Sequence, residues 1–353
     1  MKHKILFVGT SVSGGGAERV FINIINSIDP DRYDVKVFYT CYEEISNINN
    51  IIPITFANKL HMREALTKLV TFIKEFQPDS VFTSHSSIAY MLPILRFWSG
   101  IKFKIYTRVA VTPSEIYHDD LKSRILYRIY PFLYRIMDLI IAQTDYMKKD
   151  IIKNYGVKGE KIRVIRNIIQ KEYVLAQSKK EISEFISKDD YNIVAAGALY
   201  SVKGFDLLIK ALAPVIKENR KIKLRILGEE RYEIGYKSIL QSMIQRLDLS
   251  DNIMLLGHKQ NPYPYIMQSD LYVMSSKREG FPNVVLEALC LGTPVVATDC
   301  VDFTGVIFAG INGFITKKED VDSIRQGIKS AMSQAFDVRS IELKNFDYNT
   351  LFI

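Results

Sequence analysis

Short apolar runs alternate with amphipathic stretches along the whole chain. KILFVG near the N-terminus predicts a buried strand, and the 3.6-residue periodicity of ERVFINIINSI predicts the helix that follows. DVKVFYT and the shorter IIPITF read as strands, ALTKLVTFIKEF as a helix, SVFTS as a strand, IAYMLPILRFW as a helix and FKIYTR as a strand. LIIAQT and KIRVIRN continue the series, with Asn167 close to its end. The polar stretch KEYVLAQSKKEISEFISKDD reads as a linker. Alternation then resumes with NIVAAGAL, the helix FDLLIKALAPVIKE, KLRILG, a helix around YKSILQSMIQRL, IMLLG, LYVMSS, a short apolar helix and PVVATD. Strands separated by helices argue for parallel sheets covered on both faces. The predicted architecture is α/β, with two Rossmann-like doubly wound domains at residues 1–170 and 171–353. In such sheets ligands collect at the carboxyl ends of the strands, where Gly15, Gly16, His85 and Arg108 fall.

The stretch REGFPNVVLEALCLGTPVVATD, Arg278 to Asp299, carries the densest chemistry. Pro282 suits the first position of a helix and Gly292 the position just past its end. The N–H groups of Asn283, Val284 and Val285 would then sit at the positive helix end, where a phosphate is favoured. Glu279 lies on the loop before that end, and Glu287 roughly 7 to 8 Å further along the axis. Two carboxylates facing a phosphate would repel it, so each should accept hydrogen bonds from hydroxyls on either side of a diphosphate. Lys203, in the strand-to-helix loop YSVKGFD, can reach that diphosphate and offset its charge. Read blandly, it is a solvated loop lysine.

Length and composition narrow the classes. The chain's 353 residues suit two domains, and 48% hydrophobic with 24% charged residues is globular composition. No stretch approaches the ~20 apolar residues that cross a bilayer, and MKHKILFVG is too short for a secretory signal core. Cys41, Cys290 and Cys300 read as reduced, buried thiols of the cytoplasm. The net charge of +8 favours an acidic partner. No nucleic-acid motif is legible, so an anionic membrane or a nucleotide substrate accounts for the sign. In LKSRILYRIYPFLYRIM, Lys122, Arg124, Arg128 and Arg135 alternate with aromatic rings, a texture suited to the water–lipid boundary. Its rival reading is a helix packed on the sheet and broken near Pro131. Gly14, Gly15 and Gly16 are contiguous, which is not the dinucleotide spacing. Asp29 to Asp31 and Asp320 to Asp322 spell carboxylate pairs used for metals, but they fall where caps and turns are expected. No His/Cys ligand set and no nucleophile elbow is present.

Three motifs in order, GGGAERVFINIINSID, KGFDLLIKAL and EGFPNVVLE, resemble the retaining glycosyltransferases of the GT4 type with the two-domain GT-B fold. The resemblance spans nearly the whole chain. It implies two Rossmann-like domains facing across a cleft, the first binding the acceptor and the second a nucleotide sugar. It also implies transfer of a sugar, with retention, to a lipid-linked or growing surface glycan in capsule or exopolysaccharide synthesis. Glu279 and Lys203 carry over as catalytic residues, and His118 is taken as the catalytic histidine in place of the one this chain lacks. Gly15, Gly16, Lys203, Gly257, Glu279, Gly280, Phe281, Pro282, Asn283, Val284 and Glu287 carry over as donor-binding, with Glu287 on the ribose. UDP is the leading nucleotide and GDP the next; no metal and no cofactor is implied. The implied location is cytoplasmic, peripheral on the inner face of the membrane. This chain departs from the family at Ala198, where an arginine is usual, at Glu229 and Glu230, where a glycine is common, and at Gly305, where an acidic residue is common. YTRVAVTP lacks the histidine many members carry near the acceptor, leaving His118 or His85 to serve, with Arg108 beside them. A nucleotide-sugar epimerase of the same fold, or a degenerate nucleotide-sugar-binding relative, are the alternatives.

Overall fold

The computed structural model describes residues 2–10, 16–41, 52–57, 62–115, 121–182, 187–231, 233–338 and 346–352, with backbone alone at 62–63, 115 and 121–127. Two compact units result, Met1–Ile168 with Asn345–Ile353, and Ile169–Lys344. The sequence pattern carries the second domain to the chain end, whereas the terminal segment belongs to the first unit. Its apolar residues are the cause: Tyr348, Leu351 and Phe352 fill that unit's core, with the Phe352 ring 5.5 Å from Tyr106.

The first unit is a seven-stranded parallel sheet built from β1 (His3–Gly9), β2 (Tyr33–Tyr39), β3 (Ile54–Phe56), β4 (Ser80–Thr83), β5 (Lys104–Arg108), β6 (Leu139–Ala142) and β7 (Ile162–Val164). Its order is β3-β2-β1-β4-β5-β6-β7, so the chain reverses its direction of travel between β1 and β4. Side chains alternate across each strand. Leu6, Val81, Ile105 and Ile140 face a core shared with α2 (Met62–Phe76), α3 (Ser86–Ser99), α4 (Leu121–Ile136) and α5 (Asp145–Tyr155). Phe7, Phe82, Tyr106 and Ile141 face α1 (Gly16–Ser27) and the C-terminal segment. The sequence allowed a break at Pro131, yet α4 runs through it. Packing outweighs the lost hydrogen bond there, because Tyr130 stacks on Tyr90 of α3 with centroids 3.8 Å apart and Tyr134 is buried against the same ring.

The second unit repeats the plan with six parallel strands, β8 (Tyr191–Ala196), β9 (Ile222–Leu227), β10 (Ile253–Leu255), β11 (Leu271–Met274), β12 (Val295–Thr298) and β13 (Gly313–Thr316), in the order β10-β9-β8-β11-β12-β13. Here the reversal lies between β8 and β11. α7 (Phe205–Glu218), α8 (Tyr236–Arg246) and α11 (Val321–Met332) cover one face. α6 (Lys171–Ser178), α9 (Tyr263–Met267) and α10 (Asn283–Leu291) cover the other. The polar segment read as a linker thus contains α6, which packs on α9 and α10 through buried Val174. Its weak amphipathicity hid it, since a single apolar anchor is no periodic signal.

Candidate functional site

In an open parallel sheet the crevice for a ligand forms outside the carboxyl ends of the strands where the strand order reverses. In the second unit that place lies between the loops after β8 and β11, and these two loops are bound together. Lys203 closes a 3-10 turn at Ser201–Lys203, and Gly204 after it has φ +64°. A Cβ at Gly204 would lie 2.1 Å from the Ser275 carbonyl oxygen, so only glycine allows this approach. Ser275 Oγ donates to the Lys203 carbonyl at 3.0 Å, and the Lys277 N–H to the Val202 carbonyl at 2.8 Å. Across this junction Lys203 Nζ meets Glu279 Oε1 at 2.6 Å, and Ser276 Oγ donates to the same oxygen at 2.7 Å.

Both charged side chains are mostly enclosed, Lys203 at 19% and Glu279 at 16% exposure. Burial by itself pulls the Lys203 ammonium down. The charge and hydrogen bond of Glu279, helped by Tyr200 and Cys300, outweigh it and hold the ammonium above its ordinary range. Nearby Cys300 is pushed up to about 12 by burial and by the Glu279 charge, so it is a protonated thiol at neutral pH.

The adjoining helix end differs in register from the sequence reading. Pro282 is the N-cap, at φ −78° and ψ 104°, and α10 begins at Asn283 with no side-chain cap. The Val285 N–H, one of three donors expected to be open, bonds to the Pro282 carbonyl at 3.2 Å. A proline one residue earlier than expected closes the first turn with its own carbonyl. Phe281 is buried with its ring 6.0 Å from Phe303, which seats the loop before the helix, and Gly280 stands partly exposed beside it. Glu287 is 6% exposed and accepts from Tyr263 Oη at 3.3 Å, and Val284 is half-buried on the turn above. Gly292, at φ +83°, ends the helix as its pattern predicts.

Glycines end the strands on the other side of Lys203. A Cβ at Gly228, φ +152°, would meet the Gly197 carbonyl oxygen at 1.8 Å, and at Gly257 it would lie 3.4 Å from Glu229 Oε2. The two acidic departures after β9 are internally satisfied: Glu229 pairs with Lys237 Nζ at 2.6 Å, and Glu230 accepts from the Lys237 N–H at 2.6 Å, at the start of α8.

The first unit carries its own polar group at the equivalent reversal. Thr10, after β1, and His85, after β4, share a hydrogen bond of 3.0 Å between Oγ1 and Nδ1. Burial lowers the His85 pKa, and the partial rescue by Glu18 is opposed by Arg108. The imidazole is therefore neutral at neutral pH. Arg108, the last residue of β5, is 2% exposed and donates from Nη2 to Asn167 Oδ1. Gly16 opens α1. Gly15 and His118 lie outside the described residues. Sequence reasoning missed Thr10, Ser275, Ser276 and Tyr263 as members of these groups. Their one available signal is a hydroxyl just beyond a strand or facing a carboxylate, which is too common to select them.

On α4, Arg128, Ile129 and Phe132 are exposed, the last at 62%. Arg135 instead donates from Nε to the Tyr155 carbonyl at 2.8 Å and so braces the end of α5. The side chains of Lys122 and Arg124 lie outside the described residues. Asp320 caps α11 by accepting from the Ser323 N–H at 2.9 Å. No helix among the described residues is long and apolar enough to cross a membrane.

Comparison with known proteins places these features. Residues 14–173 match the family described as Glycosyltransferase Family 4, and residues 177–350 match Glycosyl transferases group 1. An uncharacterised glycosyltransferase of Methanocaldococcus jannaschii is 32% identical over 66% of this chain and 58% of its own length. The Campylobacter jejuni N-acetylgalactosamine-N,N'-diacetylbacillosaminyl-diphospho-undecaprenol 4-alpha-N-acetylgalactosaminyltransferase is 28% identical over 91% of this chain and 88% of its own. Among solved structures, Anabaena HepE in complex with UDP superposes with a TM-score of 0.72 at 20% identity, covering 94% of this chain and 90% of that one. Two family descriptions that between them span residues 14–350, on two doubly wound parallel sheets, establish that this chain is a GT4-type glycosyltransferase of the GT-B fold.

Proposed function

We propose that the protein moves a sugar from a nucleotide diphosphate donor, UDP-linked in preference to GDP-linked, to a hydroxyl of a lipid-linked or growing surface glycan, with the anomeric configuration retained. The observation that carries this reading is the Lys203–Glu279 pair at 2.6 Å, spanning the loops after β8 and β11 where a doubly wound sheet takes its ligand. The second unit takes the donor and the first recognises the acceptor.

In the reaction the bond between the anomeric carbon and the diphosphate oxygen breaks while the acceptor oxygen bonds to the same face of the sugar. The acceptor proton passes to a leaving-group oxygen, so no strong enzymatic base is needed. What the step requires is positive charge and N–H donors on the departing diphosphate. Lys203 supplies the first and the Pro282–Val284 turn the second, adding the favourable end of the α10 dipole. That charge assignment is why the reading gives no role to a metal or cofactor. Glu279 holds hydroxyls of the donor sugar and Glu287, oriented by Tyr263, those of the ribose. Gly257, just past the end of β10, allows close backbone approach to the donor. His118, or His85 in its place, serves the acceptor hydroxyl. The UDP complex of HepE supports the choice of nucleotide, and the diphospho-undecaprenol in the Campylobacter relative's name supports a lipid-linked acceptor.

Such an acceptor is consistent with a protein in the cytoplasm, peripheral on the inner face of the membrane, with the exposed Arg128 and Phe132 of α4 toward anionic lipid. Flotation with anionic vesicles should retain the wild type and lose Arg128→Glu combined with Phe132→Ser; equal partitioning removes the membrane contact. For the reaction, purified protein is incubated with UDP- and GDP-sugars and a lipid extract. Lys203→Ala is expected to slow transfer by about 100-fold or more, and wild-type rates in that variant would remove the site.

A further inference from the structure

Arg108 is a buried cation with no carboxylate bonded to it among the described residues. Its guanidinium is 2% exposed, and Nη2 donates to Asn167 Oδ1, yet Nε and Nη1 have no hydrogen-bond partner among the described residues. The ionisable side chain set against it is the Tyr348 phenol, which burial keeps protonated and neutral. Buried charges in proteins are ordinarily paired and hydrogen-bonded, so this residue is set up for an anion that none of the described residues supplies.

The neighbours of Arg108 point the same way. In the parallel register Thr83 of β4 stands beside Thr107 of β5, which puts Ser84, the next residue, alongside Arg108. Alternation sends both side chains to the face that carries Phe82 and Tyr106. His85 turns toward that face as well, its ring 5.8 Å edge-on from Phe21 of α1. Tyr348 arrives there from the C-terminal segment, 6.5 Å from the Phe82 ring. Ser84 Oγ, His85 Nε2 and Tyr348 Oη are, like the two guanidinium nitrogens, buried atoms without a hydrogen-bond partner among the described residues. The result is a cluster of polar atoms at one edge of one sheet with one formal positive charge; Glu18 acts on its His85 edge, and among the described residues no carboxylate is hydrogen-bonded to Arg108. His85 is its partly exposed member.

We propose that Ser84, His85, Arg108 and Tyr348 form a subsite for a phosphoryl group, and that the acceptor of this transferase carries that group. A phosphoryl oxygen accepts from a guanidinium N–H, a serine hydroxyl and a phenol at once, and its negative charge matches the uncompensated cation. A neutral sugar hydroxyl would leave the charge unpaired. The subsite lies in the first unit alone and rests on the transferase reading only for its link to the acceptor.

The test is binding of three probes in the presence of saturating UDP: a short-chain prenyl phosphate, a hexose phosphate and inorganic phosphate, each organic probe paired with its unphosphorylated alcohol. Wild type should bind at least one phosphorylated probe about tenfold or more tighter than the paired alcohol, and which probe wins separates a lipid-borne from a free sugar phosphate. Arg108→Met should abolish that preference while leaving the UDP affinity unchanged. Because it removes an unpaired buried charge, it should melt no lower than wild type without ligand, whereas a purely structural arginine predicts a lower melting temperature. Ser84→Ala should weaken the preference without removing it. Equal affinity for phosphate and alcohol in the wild type, or an undiminished preference in Arg108→Met, overturns the subsite. Failure of UDP to bind while the phosphate preference persists would instead count against the transferase reading and leave the subsite standing.

Discussion

Replacing Glu279 with glutamine should tighten the binding of free UDP while slowing transfer. Glu279 occupies the ammonium of Lys203 at 2.6 Å, with both groups less than one-fifth exposed. An incoming diphosphate must share that ammonium with a carboxylate of its own sign. At an effective dielectric of about 20 the bare attraction at this separation is roughly 6 kcal/mol, but desolvation of both ions offsets most of it. Hydrogen bonds to charged groups contribute a net ~1.5–3 kcal/mol. Glutamine keeps a neutral hydrogen bond to Lys203, so the competition removed is about 1–2 kcal/mol, or roughly 5- to 30-fold in the UDP dissociation constant. Titration calorimetry of UDP against wild type, Glu279→Gln, Lys203→Met and the double variant measures the gain and its dependence on Lys203. In the Lys203→Met background the Glu279→Gln gain should vanish. Unchanged or weaker UDP binding in Glu279→Gln, or an equal gain with and without Lys203, refutes the idea that this ammonium is the diphosphate's partner.

Other consequences can be checked by simpler means. Glu287→Ala should raise the donor dissociation constant by about 10- to 100-fold, with Tyr263→Phe following in the same direction but less, because Glu287 is buried and Tyr263 orients it; steady-state kinetics on donor concentration decides. Gly228→Ala should destabilise the second unit by about 2–4 kcal/mol, since its Cβ would press on the Gly197 carbonyl oxygen at 1.8 Å; urea denaturation with tryptophan-independent circular dichroism measures this, and a shift within ±0.5 kcal/mol contradicts it. His85 is held neutral, its folded pKa lying below the unfolded value of 6.5. The unfolded chain therefore binds the proton first as pH falls, so stability is full above about 6.5 and declines from there toward the lower folded pKa. Denaturation between pH 7.5 and 5.0 should show that slope reduced but not removed in His85→Gln, because burial depresses His3 in the same direction.

The two-sheet plan was legible because nearly every strand is a short apolar run and every long helix keeps its 3.6-residue stripe, as in ERVFINIINSI and FDLLIKALAPVIKE. Misreadings occurred where packing overrode local preference. α4 continues through Pro131 because Tyr130 and Tyr134 grip Tyr90. α6 forms in polar sequence because Val174 has a groove to fill between α9 and α10. The terminal segment leaves the second unit because its aromatics complete the core against Phe7, Phe82 and Tyr106. Glu279 and Lys203 were both singled out as site residues from their motifs, but their pairing with each other was not visible, being separated by 76 positions and joined only by strand order.

Taken alone, the amino-acid order determines most of the strands and long helices, a helix start within one residue of Pro282 and its stop at Gly292, and which family these motifs resemble. Those are local properties, set by side-chain periodicity and backbone freedom within a dozen residues. Strand order is different: β1 lies beside β4, and β8 beside β11, only because the sheets reverse there. That reversal brings Thr10 to His85 and Lys203 to Glu279, while Arg108 is buried with no carboxylate bonded to it among the described residues, since a charge's partners are chosen by what the fold places within a few ångströms and not by neighbours along the chain.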